Sequence, residues 1–214
     1  MGKELEGKRI VCFGDSNTWG FTPITGERYP KGVRWTSLLG EYTGAEIIEE
    51  GMNGRTSAFD DPAFPHCNGM RYIEACVESH RPFDLLIVML GTNDMRMHIC
   101  NCAEASARSV AYLCQKAQQV APEIKILMVA PIVIGKWRPE LDIPMLMVNQ
   151  QSIDNTYKFG ERFGENAKAF GFEFLDAAKY AEPSHIDGVH MTPEHHAKLA
   201  RAMADKAIEI LGNK

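Results

Sequence analysis

The sequence lacks an apolar run long enough to cross a membrane. The longest continuous run, residues 85–90, has the length of a buried strand, whereas a spanning helix needs about 20 apolar residues. The first residues, 1–9, are charged and contain no apolar segment of the kind found in secretory signals. We therefore expect no membrane partner and a cytoplasmic location.

The sequence also lacks a basic stripe. Its 23 Lys and Arg residues are interspersed with 28 Asp and Glu residues, which gives a net charge of −5. A nucleic-acid partner is therefore not expected. The chain is 45% hydrophobic and 24% charged, and no linker or internal repeat divides it. This composition suits a single domain over residues 1–214.

Cysteines with metal-site spacing are scarce. Cys12 lies in a predicted strand and Cys76 and Cys114 lie in predicted helices, which is typical of small buried hydrophobic residues in a reducing compartment. His98, Cys100 and Cys102 form the only tempting metal group. That group has no second ligand pair at a zinc-type spacing, so we expect no metal site.

Strand and helix patterns alternate along the chain. The near-continuous apolar segment 84–90 is typical of a strand buried on both faces of a parallel sheet. Alternation of this kind predicts an α/β fold with helices on both faces of the sheet. The predicted strands are 9–13, 46–50, 84–90, 124–130 and 172–175, and the predicted helices are 35–42, 69–80, 103–120, 148–170 and 193–211, with Thr192 as N-cap of the last.

Four polar loops are expected at one edge of this sheet. Ligands of parallel sheets bind outside the carboxyl ends of the strands. Loops containing Ser16, Gly54 and Asn93 follow the first three strands, and the loop with Asp187 and His190 follows the fifth. The convergence of four loops indicates a functional site more strongly than any one of them.

Ser16 is the candidate nucleophile. It occupies a glycine-flanked turn at the end of the first strand, where its hydroxyl and its own N–H can face the same ligand atom. Alone, Gly-Asp-Ser is also an ordinary structural turn. A serine needs a base, and the base needs an orienting carboxylate.

His190 is the best candidate for that base. It follows Asp187 by three residues across Gly188, a spacing that can place the carboxylate beside one ring nitrogen. His185 could pair with Asp187 only across an awkward two-residue separation. The remaining histidines are assigned to a helix end, to solvent in the first turn of the last helix, or to loops with no acid at a useful offset; they are His80, His195, His196, His66 and His98.

An oxyanion site requires donors aimed at developing negative charge. The Ser16 N–H, the Gly54 N–H and the Asn93 side-chain amide can supply three, and the missing Cβ of Gly54 would let a substrate approach its backbone. We interpret Asp15 and Asp94 as structural residues that bond to the backbone of their own loops.

The ordered motifs resemble those of the SGNH (GDSL-type) hydrolases, and in particular the bacterial arylesterase/acyltransferase branch that includes perhydrolases. The blocks are Gly14-Asp15-Ser16, Gly54, Gly91-Thr92-Asn93-Asp94 and Asp187-Gly188-Val189-His190, and they span nearly the whole chain.

The resemblance implies a three-layer α/β/α sandwich with a flavodoxin-like five-stranded parallel sheet. It implies Ser16 as nucleophile, His190 as base and Asp187 as its partner. It also implies the same oxyanion donors, no metal or other cofactor, and short acyl esters as small-molecule substrates.

The substrate pocket is less determined by the sequence. Asn17 stands where the family commonly has Leu, and it is a possible sugar contact. Trp19 and the loop 132–146, which contains Trp137 and Met145, are candidates to line the acyl pocket or to form a subunit contact in a homo-oligomer. We therefore interpret the chain as a serine esterase that hydrolyses short-chain acyl (acetyl) esters through an acyl-enzyme, with acyl transfer to alcohols where the pocket excludes water. A carbohydrate O-deacetylase of the same fold and a non-catalytic binding domain remain alternatives.

Overall fold

The computed structural model describes residues 3–136 and 147–212. Its strands are β1 (Arg9–Gly14), β2 (Glu46–Gly51), β3 (Leu85–Met89), β4 (Lys125–Ala130) and β5 (Glu173–Asp176). Its α-helices are α1 (Ser16–Trp19), α2 (Trp35–Thr43), α3 (Gly69–His80), α4 (Ala103–Val120), α5 (Gln150–Thr156), α6 (Phe159–Phe170) and α7 (Pro193–Leu211). Short 3₁₀ turns cover Asn93–Met95 and Ala177–Lys179.

All five strands are parallel and lie in the order β2-β1-β3-β4-β5. The register pairs Gly14 with Gly51 on one side and with Met89 on the other, so the first three strands end at the same level. The predicted five-stranded parallel sheet is confirmed. Its carboxyl edge carries the loops in which the candidate site residues lie.

Helices cover both faces of the sheet and make the three predicted layers. Alternate residues of β3 point to opposite faces: Leu86 and Val88 join the core beneath α3, α4 and α6, whereas Leu85 and Ile87 join the core beneath α2 and α7. This two-sided burial explains why the strand is apolar at every position.

One predicted helix is wrong. The segment predicted as a single helix over 148–170 forms two helices, α5 and α6, which are separated at Tyr157 and Lys158. At this point the side chains of Asn155 and Thr156 form hydrogen bonds with residues outside the helix. The Asn155 amide donates to the Asn101 carbonyl, while Thr156 Oγ1 accepts the Ile134 N–H. Thr156 Oγ1 also donates to the Ile153 carbonyl within α5, and a side chain bonded to its own helix backbone competes with the helix hydrogen bonds and favours a break.

Two glycines let α1 pack directly on the sheet edge. A Cβ on Gly14 would overlap the Thr18 side chain, and a Cβ on Gly51 would overlap the backbone of Trp19. The last residues of β1 and β2 must therefore be glycine for the helix that begins at Ser16 to sit where it does.

The predicted loop after β4 is only partly described. Residues 131–136 are irregular, and Trp137 and Met145 lie outside the described residues. Within the described ranges, no helix combines the length and the apolarity that crossing a bilayer requires.

Candidate active site

Ser16 is the first residue of α1, immediately after β1. Asp15 caps this helix, because its carboxylate accepts the Asn17 N–H at 3.0 Å, and Gly20 ends it in the left-handed region at φ 91°. Over residues 3–136 and 147–212, the Ser16 N–H has no hydrogen-bond acceptor. The turn therefore presents a hydroxyl and a free N–H at one position.

Ser16, His190 and Asp187 form a continuous hydrogen-bonded chain. His190 Nε2 lies 2.9 Å from Ser16 Oγ, and His190 Nδ1 lies 2.6 Å from Asp187 Oδ2. A carboxylate only accepts hydrogen bonds, so the proton is on Nδ1 and Nε2 is left to accept from the serine hydroxyl. This is the tautomer that a general base requires.

Asp187 also shapes its own loop. Its Oδ1 atom accepts the N–H groups of Val189 and His190, both at 3.0 Å, while Oδ2 holds the imidazole. Gly188 adopts φ 70°, and a Cβ there would clash with the Gly135 carbonyl. The short Asp-Gly-x-His spacing therefore works because glycine makes the turn that brings the carboxylate beside the ring.

The three side chains are largely withdrawn from water. Ser16 is 7% exposed, Asp187 5% and His190 8%. Hydrogen bonds between such groups are stronger than in water because the local dielectric is low. The arrangement can move a proton from Ser16 to His190 and stabilise the imidazolium with Asp187.

Two of the predicted oxyanion donors, Gly54 and Asn93, lie on loops that are bonded to each other. The Asn93 amide donates one hydrogen to the Arg55 carbonyl at 3.0 Å, which joins the third loop to the second and leaves its other N–H. The Gly54 N–H has no acceptor among residues 3–136 and 147–212. Gly54 is required for its φ of 78°, since a Cβ there would meet neighbours only at ordinary contact distances of 3.6 Å or more.

Asp15 bonds to the backbone of its own turn, as the sequence predicted, whereas Asp94 bonds to two other segments, so that part of the prediction is wrong. Asp94 accepts hydrogen bonds from the Ser57 N–H, the Ser57 hydroxyl and the Ser106 hydroxyl, and burial raises its pKa. Burial also raises the pKa of Asp15 to about 6, despite the hydrogen bond from Asn17 and the nearby His190.

Phe21 is a site residue that sequence reasoning missed. Its ring lies against the His190 imidazole, with the centroids 4.2 Å apart and the planes inclined by 31°. Its position after the Gly20 turn gave no periodic signal, because the contact is made across two loops.

Arg55 also had no role predicted from the sequence. Its guanidinium donates to the carbonyls of Gly14 and Glu50 and covers the Phe13 ring at 4.1 Å.

The Asn17 side chain is buried and forms hydrogen bonds within the protein. It is 3% exposed, its amide donates to the Val189 carbonyl and its oxygen accepts the Met191 N–H, each at 3.1 Å. Those bonds use one N–H and the oxygen of a buried amide, which does not favour the possible sugar contact, and that contact stays a prediction. Trp19 is half-buried beside Phe21, with its carbonyl accepting from Arg28. Its role in the pocket stays a prediction.

His196 is not solvated, contrary to the prediction. It is 0% exposed and its Nδ1 accepts the Trp35 N–H, because α7 packs this face against α2. Burial, together with the nearby His190 and Arg34, lowers its pKa to about 3, so it stays neutral. His195 is half-buried and accepts the Glu182 N–H.

The side chains of His98, Cys100 and Cys102 make separate contacts, and the expected absence of a metal at this group stays a prediction. His98 contacts Asp61, while the Cys100 thiol faces the Cys102 carbonyl, and over the described residues these side chains do not form a metal-binding cluster.

A different group, Glu50, Cys76 and His80, has ligand atoms within 4.8 Å of one another. His80 already hydrogen-bonds to Glu50 at 2.7 Å. Burial and Glu50 raise the pKa of the Cys76 thiol to about 12, which disfavours the thiolate that a metal requires.

A buried Ser-His-Asp arrangement at the carboxyl edge of an α/β/α sheet defines a serine hydrolase. The model of the GDSL-like lipase/acylhydrolase family matches residues 12–198. The chain therefore belongs to that family, and the SGNH resemblance of its motifs is confirmed.

Solved structures agree with this assignment. A carbohydrate acetylesterase from Sinorhizobium meliloti is 30% identical, with a TM-score of 0.89, and the match covers 95% of this chain and 100% of that one. The aryl esterase of M. smegmatis gives the same identity, coverage and TM-score. A search of curated protein sequences gave no match.

Proposed function

We propose that the protein is a serine esterase that hydrolyses short-chain acyl esters, acetyl esters in particular, through an acyl-enzyme. The observation that carries this proposal is the relay from Ser16 Oγ to His190 Nε2 at 2.9 Å and from His190 Nδ1 to Asp187 at 2.6 Å. Each group has the partner that its chemical step needs.

In the first half-reaction, Ser16 Oγ attacks the ester carbonyl carbon and its proton passes to His190 Nε2. The carbonyl oxygen becomes an oxyanion, which the N–H groups of Ser16 and Gly54 and the second Asn93 N–H stabilise. The tetrahedral intermediate collapses when His190 returns the proton to the leaving alkoxide. The alcohol departs and the acyl group remains on Ser16.

In the second half-reaction, water replaces the alcohol. His190 takes a proton from the water as its oxygen attacks the acyl carbon, and then gives that proton to Ser16 Oγ. The carboxylic acid leaves and the free enzyme is restored. An alcohol in place of water would give acyl transfer, as the resemblance to acyltransferases implies.

The substrate class draws support from two directions. Phe21 and Trp19 form an aromatic pair beside His190, with ring centroids 6.4 Å apart, which suits a narrow acyl pocket. Similar chains are described as an aryl esterase and as carbohydrate acetylesterases. A carbohydrate O-deacetylase is therefore the second candidate, although Asn17 does not favour it.

The direct test is Ser16→Ala, measured on p-nitrophenyl acetate. Loss of a triad member is expected to lower kcat about a million-fold, with circular dichroism unchanged. Ser79→Ala on α3 is the matched control and should retain activity. Near wild-type turnover by Ser16→Ala would refute the mechanism, and no labelling of intact protein by a fluorophosphonate would indicate a non-catalytic binding domain.

A second experiment separates the two substrate classes. Initial rates are measured on aryl acetates of rising acyl length and on acetylated sugars under the same conditions. A short-chain esterase should lose kcat/KM as the acyl chain grows. A deacetylase should prefer the acetylated sugars over every aryl ester.

We also propose a single domain, a cytoplasmic location and a homo-oligomer. Both core clusters pack on one sheet, which supports a single domain. The six free cysteines suit a reducing compartment. Met97 and Met147 are exposed and joined by a backbone hydrogen bond at 2.8 Å, beside the loop predicted to form a subunit contact. Light scattering at micromolar concentration tests the oligomer, and a monomer would refute it.

A further inference from the structure

We propose that Asn17 is a positioning residue that sets where His190 stands relative to Ser16. This inference depends on the proposed esterase function, because it concerns the geometry of the same site. The residue that follows the nucleophile thereby has a role of its own. Its carboxamide hydrogen-bonds α1, which carries Ser16, to the loop that carries His190.

The Asn17 side chain brackets His190. Its Nδ2 donates to the Val189 carbonyl and its Oδ1 accepts the Met191 N–H, each at 3.1 Å. Those two groups belong to the peptide units immediately before and after His190. The amide therefore holds the backbone on both sides of the imidazole-bearing Cα.

Asn17 is itself held in place. Its own N–H is bonded to the Asp15 carboxylate at 3.0 Å, it adjoins Ser16 in α1, and its side chain is 3% exposed. A buried side chain with both ends bonded has little rotational freedom. The separation between Ser16 and the backbone of His190 is thus fixed through a short and rigid connection.

Other contacts of the base loop have a different effect. Asp187 Oδ1 bonds to Val189 and His190, and Ser184 bonds to the backbone of Gly188 and His190. These bonds join residues of the same loop, so they fix its internal shape. The Gly135 N–H also donates to the Gly188 carbonyl at 2.7 Å, which joins the loop to the segment after β4. The Asn17 amide joins the loop to α1, the helix that carries the nucleophile.

The chemistry of the position is specific. A carboxamide can donate from one end and accept at the other. Leucine has a similar size and can do neither, whereas aspartate can accept from Met191 but has no hydrogen for Val189. Misplacement of a reacting group by about 1 Å can cost about 100-fold in rate.

The test compares Asn17→Leu and Asn17→Asp with a matched control, Asn155→Leu. Asn155 is also buried, and its amide also donates to a backbone carbonyl of another segment, that of Asn101 at 2.7 Å, but among the described residues it has no hydrogen bond to the triad. All variants are assayed on p-nitrophenyl acetate for kcat and KM. The downfield proton resonance of the His190–Asp187 hydrogen bond is recorded by NMR without substrate.

Asn17→Leu is expected to lower kcat about 100-fold with KM nearly unchanged, and to shift or broaden the downfield resonance. The kcat of Asn17→Asp should lie between those of Asn17→Leu and wild type, because aspartate can still accept the Met191 N–H. Asn155→Leu should lower the unfolding temperature while it leaves kcat and the resonance unchanged.

Wild-type kcat in Asn17→Leu, or in Asn17→Asp if the leucine variant does not fold, would overturn the proposal. Equal losses of kcat in the Asn17 and Asn155 variants would also overturn it, since the effect would then be general destabilisation. Failure of the proposed function is distinguishable, because Ser16→Ala would then remain active.

Discussion

His190 Nε2 lies 2.9 Å from Ser16 Oγ although 174 positions separate the two residues in the chain. Ser16 begins the helix after the first strand, and His190 lies in the loop before the last helix. The parallel sheet makes this meeting possible, because all its strands deliver their loops to the same edge.

Asn93→Ala is expected to lower kcat about 100-fold or more and to change KM little. The free N–H of its amide would act on charge that exists only in the transition state, and one such donor contributes about 3 kcal/mol. Steady-state kinetics on p-nitrophenyl acetate measures both constants. A rise in KM at constant kcat would show that Asn93 only binds substrate.

This variant also removes the hydrogen bond to the Arg55 carbonyl, so it needs a control. Asn68→Ala removes a similar bond, from an amide to the Ala58 carbonyl at 3.1 Å, outside the triad. It should lower stability and keep kcat within a few-fold of wild type. Equal losses of kcat in both variants would show that the Asn93 effect comes from the lost hydrogen bond to the Arg55 carbonyl and not from the oxyanion site.

Phe21→Ala is expected to lower kcat about ten-fold. The ring packs against the His190 imidazole at 4.2 Å, and its removal would let the base rotate away from Ser16. Phe21→Leu should retain more activity because it still fills the space. Phe170→Ala, which removes an aromatic contact with Tyr112 elsewhere, is the control. Full activity in Phe21→Ala would show that the contact between Phe21 and His190 does not affect catalysis.

Asp15→Asn is expected to stabilise the protein above pH 6 but not at pH 4. Burial raises the folded-state pKa of Asp15 from 3.8 to about 6, so the folded state holds this proton more tightly than the unfolded state. Stability from this group is therefore present at low pH and is lost as pH rises from about 4 to 6.

Asparagine avoids that loss and can still accept the Asn17 N–H as an N-cap. The expected gain at pH 8 is about 3 kcal/mol in the free energy of unfolding, from a shift of about two pKa units. Urea unfolding at pH 4 and pH 8 measures it, with the exposed Asp205→Asn as control. An equal gain at both pH values would contradict the assignment.

EDTA is expected to leave esterase activity unchanged. The proton relay uses only Ser16, His190 and Asp187, and the Glu50, Cys76 and His80 group includes none of them. Rates are compared before and after dialysis against the chelator, and again after zinc is added. Activity that is lost on chelation and restored by zinc would require a metal mechanism.

The sequence by itself determined the sheet, most of its helices and the candidate triad. Helices 69–80, 103–120 and 193–211 have the predicted bounds, because their apolar residues recur at helical spacing and clear stop signals follow the first two. Asp187 and His190 could be paired because only one turn separates them. Ser16, Gly54 and Asn93 could be chosen because each follows a predicted strand.

Only the tertiary structure decided what depends on contact across distant segments. The break between α5 and α6 lies where Asn155 and Thr156 form hydrogen bonds with distant segments. His196 is neutral because α2 covers it. The sequence around Asn17 does not distinguish a residue that contacts a sugar from one that positions His190. Its partners lie 172 and 174 positions away, and hydrogen bonds over such separations leave no periodic trace in the sequence.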